Sequence, residues 1–434
     1  MIPAMAIQVP QPPNGMRDHL PEDYRERLAL ADRIRGVYAK YGYAPIETPA
    51  MERIEVLKGN DPENEKLMFE VLKRGEKLEE AKASGDALAD QALRFDLTVP
   101  LARFYAANRA KLPPVFRCQH IGPVWRADRP QKGRFREFMQ CDVDAVGSAS
   151  PAMEAEVILA TAEVFRDFFG EAFAVHLNDR RLLTVFLNQA GIPTEQHPTA
   201  LIALDKLDKI GEDGVRKELA ERGIPEAKTE ALLAALKVPG DLSRLHPEAA
   251  AALATIQELT KDQANVRFDP HLVRGQDYYT GPIFEVRMEA FPGAMAGGGR
   301  YDEMIGRFLG TSVPAVGFSI GFERLLLVLK EKNLPLASNG CPQVFIPLME
   351  AAFQAQAFAL GAALRAKGLN VVVQPEAGKL VPQLKTADEV LGIPFAAICE
   401  PGGKVTLKHL KTRTSGTPLS VEDAVKDLCG RLTP

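Results

Sequence analysis

From Tyr24 to Tyr41 the apolar residues Leu28, Ala31, Ile34 and Val37 recur at three-to-four spacing, which predicts one buried face of a helix. Tyr43 to Pro49 then reads as a strand closed by proline, and the proline- and glycine-rich residues 1–15 as a loop or arm. Residues 67–100 suggest a strand, a charged segment and the run Leu93-Arg94-Phe95-Asp96-Leu97-Thr98-Val99-Pro100. Val115 to Trp125 and Phe135 to Val146 are two strand-like runs around a charged stretch, the pattern of an antiparallel hairpin with a long basic tip. A helix over Ala152 to Phe169 and a strand over Ala174 to Leu177 follow.

Between about 180 and 265 alanine, leucine, lysine and glutamate dominate, with helical periodicity in Val215 to Arg222 and Lys228 to Leu236. The pattern therefore divides the chain into a core at 1–180, a helical insertion at 181–265 and a return to the core at 266–332. A linker at 333–341 leads to 342–434, where strand-like and helical runs alternate: Gln343 to Ile346, Ala352 to Lys367, Asn370 to Val373, Lys379 to Leu391, Phe395 to Cys399, Lys404 to Leu410 and Val421 to Leu428. Such alternation predicts a small α/β domain. No internal repeat is evident.

Size and composition narrow the field. At 434 residues the chain is too long for one core, and 46% hydrophobic with 25% charged residues is ordinary for a globular protein. The net charge of −4 argues against indiscriminate nucleic-acid binding but leaves room for a local basic patch. Cys118, Cys141, Cys341, Cys399 and Cys429 are scattered, with neither metal-ligand spacing nor a disulfide framework, so reduced thiols in a cytoplasmic protein are expected. The first residues lack the basic region of a secretory signal, and no apolar run approaches a membrane span.

Three stretches carry candidate chemistry. The hairpin tip holds five basic residues in eleven positions, Arg126, Arg129, Lys132, Arg134 and Arg136, with Pro130 and Gly133. A solvated loop would read the same way, but Arg126 ends an apolar run, and Phe138 and Gln140 share a strand face. Arginine can neutralise a phosphate and phenylalanine can stack on a purine. Next, Gly317-Phe318-Ser319-Ile320-Gly321-Phe322-Glu323-Arg324 leads from a small-residue strand into a helix. It places Arg324 in the first turn, where the helix dipole disfavours a cation unless an anion binds there; a surface salt bridge is the plainer reading. Finally, Arg274-Gly275-Gln276-Asp277-Tyr278-Tyr279 precedes an apolar strand, and Gly297-Gly298-Gly299-Arg300-Tyr301-Asp302 is either a turn or a place where backbone approaches a ligand.

These stretches resemble, in order, motif 2, motif 3 and the two histidine-specific signatures of the histidyl-tRNA synthetases. The long helix and proline-closed strand resemble motif 1 of the class II synthetases. The resemblance covers about residues 10–430. It implies an α+β fold: an antiparallel sheet flanked by helices, a helical insertion and a C-terminal α/β anticodon-binding domain. It also implies ATP and L-histidine as substrates, Mg2+ with the ATP phosphates, no protein-held metal, histidine tRNA as partner and a homodimer.

By the resemblance, Arg126, Arg274 and Arg324 are the catalytic cations. Arg126, Asp128, Phe138 and Arg324 bind ATP, with Asp128 reading the adenine amino group where many class II enzymes have glutamate. Asp96, Thr98 and Gln140 receive the amino group of histidine, Tyr279 and Asp144 hold its imidazole, Arg126 and Arg274 meet its carboxylate or phosphate, and Tyr278 and Tyr301 line the pocket. Arg129, Gln131, Lys132, Arg134, Lys404, Lys408 and Lys411 are the candidate tRNA contacts. The C-terminal segment supports the last three, with ten Lys/Arg against eight Asp/Glu from Gln343 onward. Leu204-Asp205-Lys206-Leu207-Asp208-Lys209 in the insertion resembles the eukaryote-like branch of the family. The alternative is a synthetase-like regulatory subunit of ATP phosphoribosyltransferase. Those proteins resemble the enzyme less at the catalytic arginine and usually lack the C-terminal domain, whereas Arg274 and some 90 C-terminal residues are present here.

Overall fold

The computed structural model describes all residues except 1–9, 60–62, 131–133, 239, 275–277, 290, 335, 337–339 and 433–434. Two units divide the chain, Met1–Leu336 and Ala337–Pro434. The first runs through β1 (Ala44–Pro45), β2 (Met51–Arg53), β3 (Phe69–Leu72), β4 (Ala89–Leu93), β5 (Phe116–Trp125) and β6 (Glu137–Val146). It continues through β7 (Ala174–Asp179), β8 (Val266–Phe268), β9 (Pro282–Met288), β10 (Phe291–Arg300) and β11 (Ala315–Gly321).

Eight of these strands form one sheet in the order β1-β5-β6-β11-β10-β9-β7-β8. The six central strands are antiparallel, while β1 joins β5 and β8 joins β7 in parallel. Strand β6 shows why the sheet has two unlike faces. Successive side chains alternate sides, so Cys141, Val143 and Ala145 enter the core while Phe138, Gln140, Asp142 and Asp144 share the opposite face. The helices Pro21–Lys40 and Ala152–Phe169 supply Leu30, Ile34, Val37, Val157, Val164 and Phe165 to that core.

Some expectations need correction. Leu28, placed on the buried face of the first helix, is 45% exposed; the stripe is Arg27, Leu30, Ala31, Ile34, Val37 and Tyr38. Arg27 takes the inward place because Glu323 accepts from both its terminal nitrogens, at 2.8 and 2.5 Å. The strand expected over Tyr43 to Pro49 pairs only at Ala44–Pro45, since Pro45 and Pro49 have no N–H to offer a ladder. A separate small sheet, β2-β4-β3, lies within residues 51–93.

Helices Arg180–Gln189, His197–Leu204, Leu207–Glu221, Glu226–Lys237 and Pro247–Thr260 occupy the segment read as a helical insertion. Their apolar sides, including Leu187, Leu201, Leu219, Leu232 and Leu253, belong to the same core cluster as the sheet.

The second unit contains β12 (Val344–Ile346), β13 (Val371–Val373), β14 (Phe395–Glu400), β15 (Lys404–His409), β16 (Thr414–Ser415) and β17 (Leu419–Ser420). β13, β12 and β14 run parallel and β15 is antiparallel to β14. Helices Gln354–Ala366 and Val421–Leu432 cover a core that includes Val344, Ile346, Leu360, Leu364 and Leu428. The helix expected over Lys379 to Leu391 is α-helical at Leu380–Lys385 and continues as a π turn at Thr386–Val390.

Candidate active site

The polar face of the central sheet is built by register. Glu285 of β9 lies opposite Gly297 of β10, Gly297 opposite Ser319 of β11, Ser319 opposite Asp142 of β6, and Asp142 opposite His120 of β5. One step along, Ile283, Gly299, Gly317, Asp144 and Cys118 are aligned in the same way. Directly paired residues point to the same side of a sheet, so Gly297, Gly299 and Gly317 clear a floor between charged neighbours.

The clearance is used. A methyl group at Gly297 would lie 2.1 Å from the guanidinium carbon of Arg274, and one at Gly317 would lie 1.9 Å from Asp144 Oδ1. At Gly299 it would lie 3.0 Å from the Tyr279 ring. Arg274 thus rests flat on β10, Asp144 leans over β11, and Tyr279 stands at the end of the floor.

Acceptors gather on the β6 side. The Tyr301 hydroxyl donates to Asp144 Oδ1 at 2.5 Å, while Asp144 Oδ2 is buried with no partner. Tyr301, expected along the pocket wall, is only 2% exposed and its hydroxyl acts on Asp144. Gln140 Nε2 donates to Ser319 Oγ at 3.4 Å, and Gln140 Oε1 is likewise buried and unpaired. Ser319 donates to Asp142. Asp96 Oδ1 accepts from the Val99 N–H at 3.3 Å, at the start of the helix Thr98–Asn108 that also carries Thr98.

Crowding buried carboxylates raises their pKa values. Burial pushes Asp96 up to about 6 against the pull of Arg126. Asp144 is pushed up to about 7 by burial, with Tyr301 opposing and Asp96 adding to the shift. Asp142 is pushed well up by burial and then by Asp144. A cation placed among them would relieve all three.

The three arginines approach from different elements. Arg126 donates from Nε to the Phe95 carbonyl at 2.8 Å, and its guanidinium lies 5.1 Å from the Phe138 ring centroid. Arg274 pairs with Glu285. Arg324 donates to the Ala294 carbonyl at 2.6 Å, and its pKa is lowered by burial and by the nearby charges of Arg274 and Arg134. The Tyr278 hydroxyl, 3.2 Å from that of Tyr279, is within electrostatic reach of Asp96, Arg274 and Arg126. The arrangement joins a cationic edge fit for a nucleotide to a carboxylate-lined recess fit for a small cationic donor.

The remaining candidates fall as follows. Asp128 is held by Arg134, 3.0 Å from its Nε. Arg129 is exposed, as is the Arg134 side chain at 54%. Gln131 and Lys132, and likewise Asp277, lie outside the described residues. Lys404 and Lys408 lie on β15 and Lys411 in the turn after it, in the second unit. Among the described residues no group of three or more His, Cys, Asp and Glu could hold a metal ion.

Sequence reasoning passed over Asp142, Ser319 and Glu285. Each is a single polar residue in a strand, and its partners are fixed only by register. One signal was available: small residues at every second position, Gly297-x-Gly299 and Gly317-x-Ser319-x-Gly321, mark a strand face kept clear for a close approach.

A family model described as histidyl-tRNA synthetase matches residues 15–325. A protein named histidine--tRNA ligase from Leifsonia xyli subsp. xyli is 45% identical over 348 residues, 73% of this chain and 79% of that one. A protein of the same name from Aeropyrum pernix is 38% identical, covering 93% of this chain and 94% of its own length. The crystal structure of histidyl-tRNA synthetase from Nostoc sp. PCC 7120 matches with a TM-score of 0.80 at 29% identity, covering 99% of this chain and 100% of that one.

Proposed function

The chain belongs to the histidyl-tRNA synthetase family, and from that premise we propose that it activates L-histidine with ATP and transfers the histidyl group to histidine tRNA. The histidine carboxylate attacks the α-phosphorus of ATP, giving histidyl-adenylate and pyrophosphate. The 3′-hydroxyl of the terminal adenosine of the tRNA then takes the histidyl group and AMP leaves.

One observation carries the site assignment. Asp144 Oδ2 and Gln140 Oε1 are buried acceptors without partners on one face of β6, beside the arginine edge. Histidine supplies the missing donors. Its imidazole N–H meets Asp144 and the other ring nitrogen meets Tyr279, while its ammonium group meets Gln140, Asp96 and Thr98. Its carboxylate then faces Arg126 and Arg274, where the adenylate phosphate forms. Phe138 stacks on the adenine, Asp128 accepts from its amino group, and Arg324 takes the far phosphates. The guanidinium groups stand ready before charge develops on the transferring phosphate, which is how such a site lowers the barrier.

Mg2+ would enter with ATP and be held by phosphate oxygens and water, since Glu285, the carboxylate beside Arg274, already pairs with Arg274 and Arg287. Tyr24 and Leu28, one helical turn apart and 51% and 45% exposed, support a homodimer built on the outer face of the first helix. The second unit, with Lys404, Lys408 and Lys411, takes the anticodon end of the tRNA, and Arg129, Gln131, Lys132 and Arg134 of the hairpin tip take the acceptor end. Cys118, Cys141, Cys399 and Cys429 are free thiols, which suits a reducing cytoplasm, and no described helix is long and apolar enough to cross a membrane.

Pyrophosphate exchange with histidine as the sole amino acid tests the reading, with formation of labelled ATP the expected result. Absence of exchange in a folded preparation that binds histidine would favour the regulatory-subunit alternative. Arg274→His should abolish exchange while histidine binding persists; equal loss of both would contradict the role given to Arg274.

A further inference from the structure

The run Leu204-Asp205-Lys206-Leu207-Asp208-Lys209 has no place in the chemistry above, yet it reaches the catalytic arginine through a chain of charges. Glu285 divides its two oxygens: Oε2 pairs with Arg274 Nη1, and Oε1 accepts from Arg287 Nε at 2.7 Å. Arg287 meets two more carboxylates, Asp269 at 3.4 Å and Asp208 at 2.9 Å. Its pKa is raised by these partners against burial.

The two outer anchors differ. Asp269 is locked into the core unit, 2.8 Å from His176 Nδ1 and accepting the His271 N–H at 3.0 Å. Burial would raise its pKa, but the hydrogen bonds from His176 and His271 hold it well below the usual carboxylate range. Asp208 is 62% exposed and sits in the first turn of the insertion helix Leu207–Glu221. Asp205 of the same run lies within electrostatic reach of Arg274 and Glu285. One anchor is therefore fixed just beyond the edge strand β8, and the other belongs to the insertion.

We propose that Glu285 is the positioning residue for Arg274, and that Asp208, acting through Arg287, makes its hold depend on the seating of the helical insertion. This rests on the reading of Arg274 as the adenylate-binding arginine. The charge logic is direct. With Asp208 in place, Arg287 is shared among three carboxylates and Glu285 keeps one oxygen for Arg274. Without Asp208, Arg287 competes harder for Glu285, and the guanidinium over Gly297 loses its fixed pose. A loosely held arginine still binds anions but no longer meets the reacting phosphate in register.

The test uses the full chain and pyrophosphate exchange. Glu285→Gln should lower kcat about 100-fold, the cost of a misplaced catalytic group. Asp208→Asn should lower kcat about threefold, the size a half-exposed ion pair allows, with histidine Kd and thermal midpoint unchanged. Asp208→Glu should restore the rate. Combined with Glu285→Gln, Asp208→Asn should cost nothing further, because both act on one linkage. An unaltered kcat in Asp208→Asn, or additive losses in the double variant, would overturn the proposal. If Glu285→Gln does not fold, the comparison of Asp208→Asn with Asp208→Glu decides alone, since that side chain is largely in solvent. Exchange that survives Arg274→His would instead sink the underlying assignment. Loss in Arg274→His with an unaffected Asp208→Asn would overturn the proposal and leave the assignment of Arg274 standing.

Discussion

Gly297 shows how narrow the tolerances are at a single residue. Its missing side chain is the space in which the Arg274 guanidinium lies, and a methyl carbon there would stand 2.1 Å from the guanidinium carbon. Gly297→Ala should therefore lower kcat for pyrophosphate exchange by about 100-fold. Circular dichroism and thermal melts should be close to wild type, because the displaced group is a long side chain and not backbone. The carboxylates give a second test. Asp96 and Asp144, with pKa values raised to about 6 and about 7, keep protons that the unfolded chain has already released. Their contribution to the stability of the ligand-free protein should accordingly fall as pH rises from about 4 to 7, the window between the unfolded and folded values, and Asp144→Asn should remove its share of that fall. Histidine needs these groups charged, so its affinity should rise through the same window, by at most about tenfold per pH unit for each proton released. Calorimetric titration between pH 5.5 and 8 checks this. Asp144→Asn should remove the step near pH 7, and the ligand's own titration, common to both proteins, cancels in the comparison. Arg126, Arg274, Asp144 and Tyr279 could be picked out as candidates because those residues stand inside recognisable runs. Asp142, Ser319 and Glu285 were not, because their meaning depends on which strand lies beside them.

At the scale of elements, long periodic segments were readable and short ones were not. Helix Ala152–Phe169 and the pair β5 and β6 lie where the apolar pattern put them, since ten or more residues of one period outweigh local exceptions. β2, three residues long, offers too few positions for an alternation to show. Likewise, nothing in Lys379 to Leu391 announces that the backbone widens into a π turn at Thr386. The first helix gives a measurable consequence of the same reasoning. Gly36 is exposed within Pro21–Lys40, and a methyl group there would meet nothing within 4 Å. Glycine costs a helix interior about 0.5–1 kcal/mol relative to alanine. Gly36→Ala should raise stability by about that amount in urea denaturation, with exchange kinetics unchanged. A decrease would mean that the proposed dimer contact at Tyr24 and Leu28 extends along the helix to Gly36.

Each of the two units of the whole molecule has a core of its own. Leu30, Val143, Phe165 and Leu325 belong to clusters confined to the first, and Val344, Leu360, Val405 and Leu428 to a cluster confined to the second. Every residue assigned to histidine or ATP falls in Met1–Leu336, whereas Lys404, Lys408 and Lys411 fall in Ala337–Pro434. That separation makes the two half-reactions separable in principle. A chain ending at Leu336 should fold on its own core and retain histidine-dependent pyrophosphate exchange, since every residue assigned to histidine or ATP stays within it. Its charging of tRNA should suffer far more. Two linked contacts on one ligand gain about 100-fold or more over either alone, and deleting one forfeits that gain. The loss should appear in KM for tRNA and shrink as ionic strength rises, because the lysine-to-phosphate contacts proposed for this unit are the ones salt weakens in the full protein. Equal loss of both half-reactions would mean that Ala337–Pro434 supports the catalytic unit itself, and unchanged charging would mean that its lysines face away from the tRNA.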